Sequence, residues 1–434
     1  TTLTSTAAAL NAGPGAQAWI LSGMSVGAGA GVLVSGAIGD DYGRRRTFVA
    51  GALVLALASV VGAVAPTGWL LVLARLVQGL GGAAILACGL GLVGQLFPSG
   101  PARARATGIW AAALGAGVAL GPLLSAGLAD VAGWRAPYVL TALAGVALAW
   151  VARAYLPESR AAAPRRIDIA GTLLLGSGTA AFLSGLVEAR MGWERPLPIL
   201  LVGAGLILLG GFIAAERRIR EPMLDLSLFR RPDFVSATVA ALAAGAGLLS
   251  LMTVLPTLLE RAMDVSTLMA ATLLLAWSAT SVFSAYGVRW LPERLTPQAL
   301  LVADLIGSAL GQVGLFALPP DNVIVRVLPA LLVAGIAYGV LNAALGRQAV
   351  ASVPRDRTAM GGGANNTARF LGSSMGLTVI SLLVTHGADR GAAGLISGWN
   401  IATLASAGIS LVGAIAVTVA GTRKPPHGGA RSVR

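Results

Sequence analysis

Apolar runs long enough to cross a bilayer recur from one end of this chain to the other, and water-soluble folds do not hide that many. A spanning helix needs about 20 mostly apolar residues. Such segments cover 20–39, 48–64, 69–97, 107–130, 136–155, 167–187, 198–215, 234–258, 267–290, 299–318, 327–346, 361–384 and 401–419. They are continuous, not the alternating short strands of a membrane barrel. Lipid offers no partner to an open backbone, so each must close its hydrogen bonds internally as a helix. Glycine and alanine fill these segments, and in lipid small residues let helices approach closely. The expected fold is an all-α polytopic membrane protein. An apolar stretch over 1–10 precedes the thirteen segments. It is too short to span and lacks the basic flank of a signal peptide, and reads as the end of a largely missing first helix, the first of fourteen.

Only 11% of the 434 residues are charged, against about a quarter in soluble domains, and the mean hydropathy is +0.79. A net charge of +13 would point to nucleic acid if it were gathered on one face. It is not. Of the 31 basic residues, 23 fall in alternate turns and the tail, including Arg44–Arg46, Arg103, Arg153, Arg217, Arg230, Arg289, Arg294, Arg355 and Lys424. Six, among them Arg190 and Arg261, fall in the opposite turns, and Arg75 and Arg369 lie inside segments. This bias sets the arginine-rich turns on the cytoplasmic side, with both ends of a completed chain inside. Trp19, Trp69, Trp134, Trp193 and Trp399 then fall at outer boundaries, as an interfacial belt. The stretch 216–233 reads as an amphipathic linker whose Met223, Leu224, Leu226, Leu228 and Phe229 can lie on the membrane surface. The single cysteine, Cys88, excludes an internal disulfide, and no metal-ligand spacing exists. No catalytic triad, phosphate-binding loop or haem ligand pair is present, so neither an enzyme nor a cofactor is expected.

The turn after the segment 20–39 reads Gly36-Ala37-Ile38-Gly39-Asp40-Asp41-Tyr42-Gly43-Arg44-Arg45-Arg46. Gly36 allows a close helix crossing and Gly43 a tight turn. Asp40 can pair with an arginine or sit at a helix N-terminus. The cluster can lock two bundles together, or its arginines can act as plain anchors. Its spacing and position resemble motif A of the major facilitator superfamily. Leu73-Ala74-Arg75-Leu76-Val77-Gln78-Gly79-Leu80-Gly81 resembles motif B. Gly117-Val118-Ala119-Leu120-Gly121-Pro122, continuing to Gly127, resembles the antiporter motif C, with Ser125 and Ala126 where the family usually has a glycine pair. Trp134-Arg135 and the stretch 361–376, with Asn365, Asn366, Arg369 and Gly372, resemble further family segments. The second half holds only an echo of motif A at Glu293-Arg294. The two additional segments between the halves point to the fourteen-helix drug:proton antiporter branch.

The resemblance implies the major facilitator fold: two six-helix halves plus two inserted helices, with a substrate site between the halves. Residues 1–160 would form the first half, 161–233 the inserted pair and linker, 234–422 the second half and 423–434 a basic tail. It also implies proton-coupled efflux of a lipophilic small molecule or drug, with an endogenous metabolite, lipid or self-made antibiotic as the alternative cargo. A non-transporting scaffold or sensor is the remaining reading. Partners would be substrate, protons and the bilayer, with no nucleic acid, and the chain would act as a monomer.

Residue by residue, Asp40, Arg44 and Arg45 with Gly36 and Gly43 would gate the cytoplasmic side. Arg75 would couple protons, or tie helices together, with Gln78 sharing its face and Gly79 beside it. Gly117, Gly121, Pro122 and Gly127 would bend or seal their helix, or simply pack. Asn365, Asn366, Arg369 and Gly372 would touch substrate or serve the interface. Asp304 is the acid inside a segment and a candidate proton carrier, or a partner for Arg289 or Arg294.

Overall fold

A computed structural model describes residues 3–97, 100–161, 168–219, 222–290, 295–319, 322–386 and 390–422. The described residues form helices and their connections, with no strand. In order these are α1 (Leu3–Ala9), α2 (Pro14–Tyr42), α3 (Arg44–Val64), α4 (Gly68–Leu96), α5 (Gly100–Ala132), α6 (Ala136–Tyr155), α7 (Ile169–Ala189) and α8 (Pro196–Glu216). There follow α9 (Pro232–Ala244) and α10 (Ser250–Ala262), joined by a π-turn at Gly245–Leu249, then α11 (Thr267–Gly287), α12 (Pro297–Gly314), α13 (Val323–Ala351), α14 (Thr358–Thr385) and α15 (Gly391–Thr422). Each of the thirteen apolar segments is a helix. Twelve are long and apolar enough to cross a membrane, with α9–α10 counted as one. The thirteenth, α12, has 18 residues, a rise of about 27 Å. The basic tail from 423, Glu293-Arg294, Arg165, Arg166 and Arg220 lie outside the described residues.

Local chemistry sets the helix starts. Thr67, Asp168, Ser266 and Thr296 each accept a bond from the backbone N–H three residues on, which satisfies one of the orphan donors of the first turn. Proline opens α2, α6, α8, α9 and α12, where its missing N–H is not needed.

Glycines decide which helices touch. A Cβ at Gly79 would collide with the carbonyl of Met24, and one at Gly27 with that of Leu76, so α2 and α4 cross backbone to backbone. Gly145 seats α6 on α3. On the other side of the molecule Gly335 and Gly339 bring α13 onto α11, and Gly311 brings α12 onto α13. Gly372 and Gly376 of α14 meet the carbonyls of Leu242 and Ala246 along α9 and the π-turn. The helices α2–α6 and α9–α15 thus form two packed groups. They meet along α2 against α14 and α5 against α11. The hairpin α7–α8 closes on itself through Gly185 and Gly205 and lays α7 over both α2 and α14.

Three expectations change. The linker does not lie on the membrane surface. Met223, Leu224 and Leu228 are buried with Leu33, Ala37, Phe234 and Met360 beneath α2 and α14, a groove that takes their apolar surface out of water within the protein. Phe229 is half-exposed and packs edge-on against Phe234. Trp399 is fully buried, its indole N–H donating to the carbonyl of Leu315 at the end of α12, and Trp134 is buried beside Tyr138. Neither is a belt residue, whereas Trp69 and Trp193 are exposed. Finally, Arg103, Arg105 and Arg347 belong to helix ends and not to turns.

The α2–α4 crossing yields a sharp contrast. Gly79→Leu must push two helices apart and is expected to destabilise by about 1–3 kcal/mol or more. Gly203→Leu on α8 meets open space and should leave the melting profile unchanged. Gel filtration of fluorescent fusions after heating reads both. Equal tolerance would refute the close crossing.

Candidate functional site

The arginine-rich end is closed by a charge cluster that joins the two helix groups. It begins with a helix lacking its own cap. The residue before α14, Arg357, offers no side-chain capping bond. The cap comes instead from the other group. The Asp40 carboxylate, at the end of α2, accepts from the backbone N–H of Ala359 at 3.0 Å and of Met360 at 2.7 Å. These are the two positions a normal N-cap serves, and an anion there also meets the positive end of the helix dipole.

Asp40 is fully buried and so is its partner Arg44, 2.6 Å away. Arg44 reaches onward to the second group, donating to the carbonyl of Asp356 at 2.9 Å, and on its own side donates to Ser159 Oγ, after α6, at 2.6 Å. Beside this pair Asp41 and Arg357 form a second bridge between the groups at 2.7 Å. Thr358 Oγ1 donates to the carbonyl of Gly91 on α4. Gly36 and Gly91 let α14 settle, since a Cβ at either would strike Ala359.

The turn itself is held from behind. Gly43 has φ +124°, a conformation side chains rarely adopt. A Cβ there would also meet the Glu158 carboxylate. Glu158 accepts from the backbone N–H of Arg45 at 3.1 Å and lies 3.7 Å from its guanidinium. Arg44 N–H donates to the carbonyl of Ser159, and Ala161 N–H to that of Asp40. The segment after α6 therefore clasps the α2–α3 turn.

Gly36, Asp40, Gly43, Arg44 and Arg45 are thus brought together at this end. The sequence reading had not singled out Asp41, Glu158, Ser159 or Arg357. Glu158 could have been found as an acid standing alone among the basic residues of its turn.

The remaining candidates are dispersed. Arg75 donates to the carbonyl of Ile20 at 3.1 Å and approaches Met24 Sδ, so it ties α4 to α2. Gln78 does not share that role. It donates to Ser59 Oγ on α3, and Gly79 serves the crossing. Nothing lies within 4 Å of a Cβ placed at Gly117, Gly121 or Gly127, and Pro122 stands on an exposed face of α5.

On α14, Arg369 is buried and donates to Asn342 Oδ1 on α13 and to Asn366. Asn366 in turn donates to the carbonyl of Gly362, and Asn365 to that of Ala237 on α9. Asn342, which the sequence reading passed over, is the polar residue that receives this arginine.

Asp304 is buried within the α9–α15 group, and its Oδ2 has no hydrogen-bond partner among the described residues. Ser308 and Gln312 follow at four-residue steps on the same face of α12. Both are buried, and Gln312 accepts from Ser410 of α15.

The opposite end is organised by α7. Trp19 of α2 donates its indole N–H to Glu188 at 2.6 Å, and Arg190 donates to Ser22 Oγ at 3.2 Å. Thr378 of α14 donates to the carbonyl of Leu186. One helix end thereby holds both groups. Between α2, α7, α10 and α14 lies a cavity of about 630 Å³. A helical bundle latched at one end and hollow between its groups at the other is a transporter architecture.

The family model of the Major Facilitator Superfamily matches residues 1–377. The chain belongs to this superfamily. It is 29% identical over 92% of its length to the puromycin resistance protein pur8 of Streptomyces alboniger, covering 82% of that protein. It is 30% identical over 84% of its length to a probable actinorhodin transporter of Streptomyces coelicolor, covering 65% of it. The structure is similar to the proton:xylose symporter XylE (TM-score 0.66, 13% identity, 95% of this chain and 89% of that one) and to the human organic anion transporter MFSD10 (TM-score 0.64, 20% identity, 92% and 83%). At these identities the likeness shows the fold, the major facilitator fold. Superfamily membership makes the chain a transporter and not an enzyme.

Cys88 is a built-in reporter for the latch. It is buried against Gly39 and is the only cysteine. Asp40→Asn leaves the Arg44 guanidinium buried without a counter-charge, which costs about 3–5 kcal/mol. Maleimide labelling of Cys88 should then accelerate on the order of tenfold or more. An unchanged rate would show that Asp40 does not hold this end closed.

Proposed function

We propose that this superfamily member is a proton-coupled exporter of lipophilic small molecules across the cytoplasmic membrane of a bacterium, working as a monomer by alternating access. The observation that carries the reading is the asymmetry of the cluster around Asp40: it seals one end of the gap between the halves while a cavity stands between them toward the other. The relatives support the direction of transport. They include the multidrug resistance protein Stp of Mycobacterium tuberculosis, 28% identical over 83% of this chain, besides the puromycin and actinorhodin proteins. The last of these supports export of a self-made antibiotic as the second reading.

The arginine-rich end faces the cytoplasm by the positive-inside rule, so the structure corresponds to the outward-facing state. Residues 1–160 and 234–422 move as the two half-bundles. The stretch 161–233 supplies the inserted pair of the fourteen-helix branch and its linker. Opening inward requires α14 to give up Asp40, and the turn before it to give up Asp41 and Arg44. Gly372 belongs to the interior of the moving half, as do Asn365, Asn366 and Arg369, whose bonds run within it.

Asp304 is the proton carrier. Its carboxylate sits deep in a half-bundle with an unbonded oxygen, and a charge is costly there without a partner. Protonation stabilises it buried, and the polar face of Ser308 and Gln312 leads from it along α12. Arg75 acts at the other half, fixing the outer part of α2 through the Ile20 carbonyl. Gly117, Gly121, Pro122 and Gly127 let α5 bend as the halves rock.

Everted vesicles test the coupling. An imposed proton gradient should drive accumulation of a fluorescent lipophilic substrate, and an uncoupler should abolish it. Asp304→Asn should lose gradient-driven accumulation while substrate counterflow without a gradient persists. Accumulation that ignores the uncoupler would overturn proton coupling. Equal loss of both activities would assign Asp304 to structure.

A further inference from the structure

The cavity between α2, α7, α10 and α14 is lined in a way that selects a sign of charge. Its polar surface is mostly hydroxyl: Ser22 and Ser25 from α2, Thr253 and Thr257 from α10, Ser373 and Ser381 from α14. Its apolar surface comes from Val26, Val187, Leu258 and Leu377. Two guanidiniums complete it, Arg190 from the end of α7 and Arg261 from the end of α10. No carboxylate lines it among the described residues.

Arg190 is the anchor. It is largely buried, and burial pulls its pKa down to about 10, so it remains a cation at neutral pH. One nitrogen donates to Ser22 Oγ, while its Nε has no partner. The nearest acid in sequence, Glu188, is engaged by Trp19, and no ion pair to Arg190 is present among the described residues. A largely buried guanidinium without a counter-ion, at the wall of a cavity, is an incomplete anion site. Its planar fork matches a carboxylate, sulfonate or phosphate, with which it forms short charge-assisted bonds. Low-dielectric walls focus its field into the cavity.

We infer that this cavity binds an amphipathic organic anion, its acidic group on Arg190 with Arg261 at the mouth and its apolar body against Val26, Val187 and Leu377. The hydroxyls of the wall supply neutral donors to further oxygens. The inserted hairpin thereby contributes a ligand to the substrate site, because Arg190 belongs to the turn that joins α7 to α8. The π-turn at Gly245–Leu249 serves the same site. It shifts the register of α10 so that Thr253 and Thr257 line the cavity, and Ser250 locks it by donating to the carbonyls of Gly245 and Ser373. This inference deepens the export reading and rests on it for its physiological direction, although the binding itself does not.

A matched pair of probes decides the sign: 2-naphthoate and 2-naphthylmethylammonium, with the same aromatic body and opposite charges. Equilibrium dialysis against the full chain in phosphatidylcholine nanodiscs should show naphthoate binding more tightly. Arg190→Gln should weaken naphthoate roughly tenfold and leave the ammonium probe unweakened, with Arg190→Lys in between. Arg261→Gln, at an exposed position, carries the same test should Arg190→Gln not fold. Equal binding of the two probes, or naphthoate binding untouched by both glutamine variants, would overturn the inference.

Nanodiscs containing phosphatidylglycerol separate the sources of the anion. Competition by that lipid assigns the site to a lipid headgroup, and its absence assigns it to a dissolved anion. Uptake of both probes into energised everted vesicles keeps the two proposals apart. If neither probe is moved while the naphthoate preference survives, export fails and the anion site stands. If both are moved alike and Arg190→Gln changes neither, the anion site fails and export stands.

Discussion

The whole arrangement depends on a helix that cannot cap itself. The first turn of α14 borrows the Asp40 carboxylate from the opposite half. A carboxylate buried alone would be expensive, and a guanidinium likewise. Here each neutralises the other, and their remaining hydrogen-bonding capacity is spent on the backbone of α14 and of the turn before it. The ion pair itself lies within one half, so it need not break when the halves part. What is lost on opening is the Asp41–Arg357 bridge and a set of hydrogen bonds to backbone, all of which water can replace. Exchanging protein partners for water changes the balance by only about 1.5–3 kcal/mol per bond to a charged group. A latch of this composition holds an end shut without trapping it.

That economy requires contact at backbone distance, and glycine supplies it. Gly36 and Gly91 bring α2 and α4 against the start of α14. Gly43 turns the chain so that Asp40 and Arg44 stand on consecutive helices facing the same point. A side chain at these positions would separate the charges from their partners, and a bond to charge weakens steeply once stretched. The linker adds apolar weight below, with Met223 and Leu228 packed against Met360 and Ala37. Closure at this end is therefore a packed interface with a polar centre, not a salt bridge on a surface.

The fold was legible because its main determinant is one-dimensional. Apolar length fixes the helices, and all thirteen segments are helical. The cluster around Asp40 was legible for a related reason: its residues are adjacent in sequence and its glycines have positional meaning. What escaped was long-range pairing. Glu158 and Arg357 lie more than a hundred residues from the turn they secure, and although Glu158 is an acid among basic neighbours, nothing local says which turn it serves. Asn342 is one amide in an apolar segment, and only the approach of α14 makes it the acceptor for Arg369. Arg75 and Gln78 read as one face at three-residue spacing, but the helix places one against α2 and the other against α3. The linker misled because amphipathic sequence fits a membrane surface and a protein groove equally well, and only tertiary contact distinguishes them.

The inserted hairpin looks dispensable in a fold of two halves, yet its geometry argues otherwise. The end of α7 grips α2 through Trp19 and Ser22 and grips α14 through Thr378. If the halves rock about a central pivot, separation at the Asp40 end forces approach at this end, and the wall formed by α7 must yield. The contact to α14 is one neutral bond to a helix-end carbonyl. The contacts to α2 include a charge-assisted bond to the buried Glu188 carboxylate, which is roughly twice as strong. The weaker side gives way first, so α7 travels with α2 and slides over α14. Arg190 then moves with the first half while Thr253 and Thr257 move with the second. A ligand held between them feels the rocking directly, and the cavity changes shape along the line that joins its guanidinium to its hydroxyls.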